Sequence, residues 1–323
     1  MNKNMKKLIS TVVVAGIALG VAGCAKQTSG SANFPTKSIN IIVPYSAGGG
    51  TDITTRALAD AAKAHISQPL VVVNKTGAGG AVGMGEGANS APDGYNVTTI
   101  TVELTTLPPQ GLATFTNADF IPLLRFNAEP SAITVKADAP WNTIEEFIAD
   151  AKAKPGEIKI GNSGIGAIWH LAALALEKEI GTTFNHIPYE GANPAVTALL
   201  GGHIEAVTVS PAEVAAQVKA GELKIIGVMA PERSKQFPEV PTLKEKGFDV
   251  NVATWRGVAV PKNTPADVVA ILEDTFTKAS KEKAFTDFMA LQGLNVAILD
   301  KAAFAESIEA DNKLFKELID SLK

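Results

Sequence analysis

Apolar residues along the chain alternate between short unbroken runs and runs at helical spacing, and this alternation predicts an α/β protein. Residues 38–43 form a β-branched run short enough for a buried strand. From Asp52 to His65, apolar residues return at Ile53, Ala57, Leu58, Ala61 and Ala62, the spacing of one helix face. The order then repeats. A strand over 69–74 leads into Gly77-Ala78-Gly79-Gly80 and a second helix; Pro92-Asp93-Gly94 is a turn, 96–101 a third strand, and 103–117 an irregular excursion containing prolines. A strand over 132–135 precedes a helix that starts at Thr143, where Glu146 completes a capping box, and stops at Pro155-Gly156. Further strands are expected over 158–160, 184–188, 206–210 and 225–229, with helices over 167–180, 194–200 and 211–220. Residues 251–260 carry Trp255 and Arg256 into Pro261; Thr264-Pro265 with Asp267 predicts an N-cap for a helix to about Lys281, and Asp300 caps the last helix, after a strand over 294–299. Such alternation implies parallel or mostly parallel sheets with helices on both faces.

Two strand-to-helix junctions are rich in glycine: Pro44-Tyr45-Ser46-Ala47-Gly48-Gly49-Gly50-Thr51-Asp52, and Gly161-Asn162-Ser163-Gly164-Ile165-Gly166 before Ala167. Glycine lets backbone approach a ligand without a Cβ in the way, and the helix that follows offers free N–H groups and the positive end of its dipole to an anion. A tight turn alone would also call for glycine. The first junction is not a Walker A loop, since Gly50 rather than Lys precedes Thr51, and it lacks G-x-G-x-x-G. What remains is a small anion, most simply a carboxylate, with Asp52 expected to cap its own helix.

Composition narrows the picture. Lys3, Lys6 and Lys7 followed by the apolar stretch 8–21 read as an export signal over 1–23, and Val21-Ala22-Gly23-Cys24 resembles a bacterial lipobox with Cys24 as the lipidated first residue of the mature chain. Residues 24–33 then form a polar tether. Cys24 is the only cysteine, which excludes an intrachain disulfide and a thiolate metal cluster. Without the three leader lysines, 26 basic residues face 33 acidic ones, a net charge of −7 that argues against nucleic acid. An anion site on such a chain must depend on local backbone donors or a single arginine. Arg256, beside Trp255, suits bidentate carboxylate recognition, with an interdomain ion pair as the competing role. About 300 mature residues exceed the usual single core, so two domains are expected.

Phe34-Pro35-Thr36-Lys37, the 44–52 junction, Asn74-Lys75-Thr76-Gly77-Ala78-Gly79-Gly80, Ala91-Pro92-Asp93-Gly94-Tyr95, Gly164-Ile165-Gly166-Ala167-Ile168-Trp169-His170-Leu171, Pro188-Tyr189-Glu190-Gly191, 198–205 and Pro238-Glu239-Val240-Pro241-Thr242 together resemble the Bug-type receptors of tripartite tricarboxylate transporters, over nearly all of the mature chain. The resemblance implies a two-lobed, periplasmic-binding-protein (type II, Venus-flytrap) α/β fold, each lobe a mixed sheet flanked by helices. Lobe 1 would take 34–130 plus 257–323, and lobe 2 would take 131–256. It implies a monomeric, lipid-anchored extracytoplasmic receptor that carries a di- or tricarboxylate to the membrane subunits of a transporter, with no cofactor and no metal. The ligand-binding set implied is Tyr45, Ser46, Ala47, Gly48, Gly49, Thr51, Asp52, Asn162, Ser163, Gly164, Ile165, Gly166, Ala167, Tyr189 and Arg256. Many relatives carry Ser or Thr where this chain has Ala167 and Ile168, and Lys is frequent where Glu190 stands.

Glu103, just past a strand end, can face the cleft or lie on a solvated loop; Trp169 reads as core, and His170 as a core group or one behind the site. His65, His170, His186 and His203 show no H-x-x-E-H or H-E-x-x-H spacing and no G-x-S-x-G elbow is present, so an enzyme acting on a small acid lacks the usual catalytic motifs. A sensory protein of the same fold, presenting its ligand to a membrane receptor, is the other alternative.

Overall fold

The computed structural model describes residues 33–322, so the export signal, Cys24 and nearly all of the tether lie outside the described residues. The elements follow in the order β1 (Ile39–Val43), α1 (Gly50–Ala62), β2 (Leu70–Asn74), α2 (Ala81–Ala88), β3 (Asn96–Thr101), α3 (Glu103–Thr106), β4 (Phe120–Pro130), β5 (Ala132–Lys136), α4 (Ile144–Ala153), β6 (Lys159–Asn162), α5 (Ile168–Ile180), β7 (Asn185–Pro188), α6 (Ala192–Leu200), β8 (Ala206–Val207), α7 (Pro211–Lys219), β9 (Leu223–Val228), β10 (Ala253–Pro261), α8 (Ala266–Ala279), α9 (Lys283–Leu291), β11 (Val296–Leu299) and α10 (Lys301–Asp320).

These strands build two sheets, ordered β11-β4-β10-β3-β1-β2 and β7-β6-β8-β5-β9. Both are mixed. β1 runs parallel to β2 and β3, whereas β10 is antiparallel to β3 and β4, and β11 to β4. In the second sheet β6 is parallel to β7 and β8, and β5 is antiparallel to β8 and β9. The mostly parallel sheets expected from alternation are therefore corrected. The reason is β4, which the sequence pattern does not reveal. Its eleven residues contain Pro122, Arg125, Asn127, Glu129 and Pro130, residues that argue against a central strand. Its partner β10 accommodates them with register shifts at Arg256/Gly257 and Val258/Ala259, the second of them beside Pro122.

Only Ser131 separates β4, in the first sheet, from β5, in the second, and the chain returns to the first sheet with β10. The boundary expected between Arg256 and Gly257 falls inside β10, whose first residue, Ala253, already pairs with Pro130. Leu58, Phe126, Val258, Phe276 and Phe285 make a core between the first sheet and α1, α8 and α9. Trp169, Val196, Leu199, Val207 and Val214 make one in the second half, where Trp169 is core as expected. A third core joins the halves: Phe304, Ile308 and Phe315 of α10 cluster with Trp255 and with Leu171 and Leu176 of α5.

Local signals that depend on near neighbours are realised. The Thr143–Glu146 capping box forms, and Asp300 Oδ1 accepts from Ala303 N at 2.9 Å. Thr264 does not cap α8; its hydroxyl donates back to the Pro261 carbonyl, and Pro265 occupies the cap position. The excursion after β3 is not wholly irregular, since it opens with the short helix α3.

Candidate functional site

β1 ends at Val43, and the chain passes through Tyr45 and an exposed loop, 46–49, into α1 at Gly50. Asp52 ties this loop down. Its carboxylate is buried and accepts from Gly48 N (2.8 Å), Asn74 Nδ2 (2.8 Å) and Arg56 Nε (3.0 Å). Burial works against its charged form, but the donors from Arg56, Gly48 and Asn74 prevail and hold it below the usual carboxylate range. Asp52 is thus occupied with its own loop, and Gly48, at φ +80°, is the loop position that requires glycine. The N–H groups of Gly50, Thr51 and Asp52, in the first turn, have no acceptor within the helix.

Arg256 reaches this helix start from β10. Its Nε donates to Thr51 Oγ1 at 2.9 Å and its Nη1 to Asn127 Oδ1, and a Cβ on Gly50 would stand 3.3 Å from Nη2. Among the described residues Arg256 makes no ion pair, so the interdomain salt bridge weighed against carboxylate recognition is not formed here. Burial lowers its affinity for the proton, opposed at longer range by Glu129, Glu103, Tyr45 and Glu213. Glu129 is itself buried, its carboxyl pushed up by desolvation against donors from Asn295 and Asn127. Glu213 lies in the first turn of α7, which follows β8 of the second sheet, so Arg256 feels groups from both halves of the fold.

Tyr45 lies beside this cluster. Its hydroxyl is 3.0 Å from Thr101 Oγ1 and 3.3 Å from the Gly79 carbonyl, and Thr101 Oγ1 donates to Glu103 Oε2 at 2.5 Å. Burial and the Glu103 carboxylate push the phenol above its ordinary value, so it stays protonated. Tyr45, Thr101 and Glu103 thus form one hydrogen-bonded set and Thr51, Arg256 and Asn127 another, brought side by side by the pairing of Arg256 with Thr101, near the ends of β1 and β3 where open α/β sheets hold ligands.

The second junction is built on the same plan from different parts. Gly164 N donates to Asn162 Oδ1 (3.0 Å), which fixes the amide so that Nδ2 points the other way; that nitrogen is buried and has no partner among the described residues. Left so, it costs about 1–3 kcal/mol, and a polar ligand atom or water would remove the cost. Gly166 N donates to His170 Nδ1 at 3.0 Å, and Gln110, after α3, donates to the Gly166 carbonyl at 3.3 Å. Ser163 is half-buried and Ile165 is exposed, while Ile168 and Trp169, in the first turn of α5, have no acceptor for their N–H groups within the helix. Ala167 N closes back on the Gly164 carbonyl, Tyr189 N donates to the Asn162 carbonyl, and the Tyr189 ring would lie 3.3 Å from a Cβ on Gly161. Glu190 is exposed. Burial first, and then the adjacent His186 ring, lower the His170 imidazole to about 4, so it is neutral and able to accept from Gly166.

Most of the expected residues fall into two clusters: Tyr45, Thr51, Asp52 and Arg256 with loop 46–49, and 162–167 with Tyr189. Sequence reasoning placed Gly50 and Asn74 only within motifs, and it missed Thr101, Gln110 and Asn127. Asn127 was hidden with the rest of β4, and Gln110 has no motif around it. Among the described residues no group of three or more His, Cys, Asp or Glu is placed to hold a metal ion.

Known proteins share this fold. A TctC solute-binding protein from Polaromonas superposes with a TM-score of 0.85 at 48% identity, covering 89% of this chain and 99% of that one. Protein BugT of Bordetella pertussis is 31% identical over 302 residues, 91% of each chain. An R. palustris protein with adipate has the same fold, with a TM-score of 0.70 at 22% identity over 88% of this chain and 97% of that one. The family model described as the tripartite tricarboxylate transporter family receptor matches residues 54–323, and the chain belongs to that family.

Proposed function

We propose that the chain is an extracytoplasmic receptor that closes two lobes on a small di- or tricarboxylate and delivers it to the membrane subunits of a tripartite transporter. Lobe 1 comprises 34–130 and the return from β10 to the C-terminus, and lobe 2 the segment from 131 to the start of β10. The observation that carries the reading is Arg256: a largely desolvated guanidinium at the start of α1, held by two neutral oxygens and paired with no carboxylate among the described residues. Two of its five N–H groups are engaged. The rest, with the free N–H groups of the first turn of α1, present only donors, which is what an incoming carboxylate requires. The unpartnered Asn162 amide and the first turn of α5 supply the opposing jaw. The adipate held by a protein of the same fold is in keeping with a dicarboxylate.

The same reading takes Cys24 as the lipid anchor of a monomeric receptor, and the intact mass of the mature chain checks the anchor. Ligand class is tested by calorimetry and thermal shift on the mature protein. A carboxylate at 100 times its Kd raises stability by about 2.7 kcal/mol. Arg256→Ala weakens that ligand by roughly tenfold or more, as loss of a hydrogen bond between charged groups requires, and weakens a monocarboxylate far less. Silence across a broad carboxylate panel would overturn the ligand class, and equal loss for mono- and dicarboxylates would make Arg256 structural.

A further inference from the structure

The hydroxyls beside Arg256 have a fixed direction. Thr101 spends its only hydrogen on Glu103 Oε2, so toward Tyr45 it is an acceptor. The phenol hydrogen is then shared between Thr101 and the more distant Gly79 carbonyl. The Thr101 hydrogen goes to Glu103 and the Tyr45 hydrogen stays within this cluster, so neither residue keeps a hydrogen for a ligand. Glu103 is half-buried; Thr101 engages its Oε2, the Tyr45 phenol lies within interaction range of the carboxylate, and no hydrogen bond to Oε1 is formed at ordinary distance among the described residues. Arg256 and Thr101 are direct partners across β10 and β3, so their side chains leave the sheet on one face. A guanidinium that offers only donors therefore stands beside a carboxylate that offers only an acceptor.

We infer that the ligand held by Arg256 is a carboxylate that also carries a hydrogen-bond donor, a hydroxyl or an ammonium close to that carboxylate, and that Glu103 is the residue that selects it. The inference rests on the carboxylate reading above. A second anionic oxygen at Glu103 is repelled, and a bare methylene there strips water from the acid and returns no hydrogen bond. Tyr45 and Thr101 cannot turn to donate instead, because their hydrogens are committed. A hydroxyl or ammonium satisfies Glu103 while its carboxylate stays on Arg256.

The test is calorimetry on wild type and Glu103→Gln with matched diacids of three to six carbons, each unsubstituted, 2-hydroxy and 2-amino. At the chain length that fits, wild type prefers a donor-bearing acid roughly tenfold or more, the worth of one hydrogen bond to a charged group. The 2-hydroxy and 2-amino arms say which donor is read. In Glu103→Gln the amide oxygen keeps the Thr101 bond, so NH2 faces the ligand. The preference then disappears while the unsubstituted acid binds as well as before or better. Binding without discrimination in wild type, or equal weakening of every acid by Glu103→Gln, overturns this inference and leaves the receptor reading intact. If no diacid binds at all, the carboxylate reading falls with it.

Discussion

At the scale of the residue, chemistry here is set by what a side chain is denied as much as by what it contacts. Among the described residues Arg256 is denied a carboxylate and Asn162 a partner for its Nδ2, while Glu103 meets only hydroxyls. Arg256 and Glu103 can be singled out by residue type, but the neutral partners that leave the guanidinium available, Thr51 and Asn127, belong to segments 76 residues apart in the chain and meet only in the fold. His170 gives a testable case. Its folded-state value of about 4 lies below the ordinary value of 6.5, so between those pH values the unfolded chain binds a proton that the folded one refuses. Its contribution to stability is complete above pH 6.5 and is lost as pH falls toward 4. The His170 resonances followed by NMR should titrate near 4, and a midpoint near 6.5 would show that its ring is not held as an acceptor for Gly166.

At the scale of the element, β1, α1 and the junction between them are legible because their signals are local: a β-branched run, glycines, then helical spacing. The reading shifts only in detail, since α1 begins at Gly50 instead of Asp52, and Gly48 is the one left-handed position of the junction. β4 is illegible for the opposite reason. Asn127 and Glu129 are buried in a strand because Arg256 and Asn295 satisfy them, and those partners lie more than a hundred residues away. β10 carries a related constraint at Gly257, where a Cβ would stand 2.3 Å from Phe304 Cε1 and 2.7 Å from the Leu124 carbonyl. Gly257→Ala should therefore destabilise by about 1–3 kcal/mol through overpacking in chemical denaturation. Gly49→Ala, with 3.4 Å to its nearest neighbour, should cost markedly less, and equal effects would contradict the packing described.

At the scale of the whole molecule, two mixed sheets share one strand-to-strand passage at Ser131 and the return into β10, while α10 packs on β4 and on α5. Few crossings of this kind favour hinge closure. Ligand should decrease the radius of gyration in solution scattering, and an unchanged radius with bound ligand would speak against closure. The sequence by itself determined the alternating α/β character, the two glycine junctions and the candidate arginine, because periodicity, glycine and capping act within a few residues. Only the tertiary structure decided which strands run antiparallel, that Asp52 serves its own loop, and that Arg256 stands unpaired beside Glu103. Pairing, burial and counter-charge are properties of neighbours in space, and here those neighbours come from distant parts of the chain.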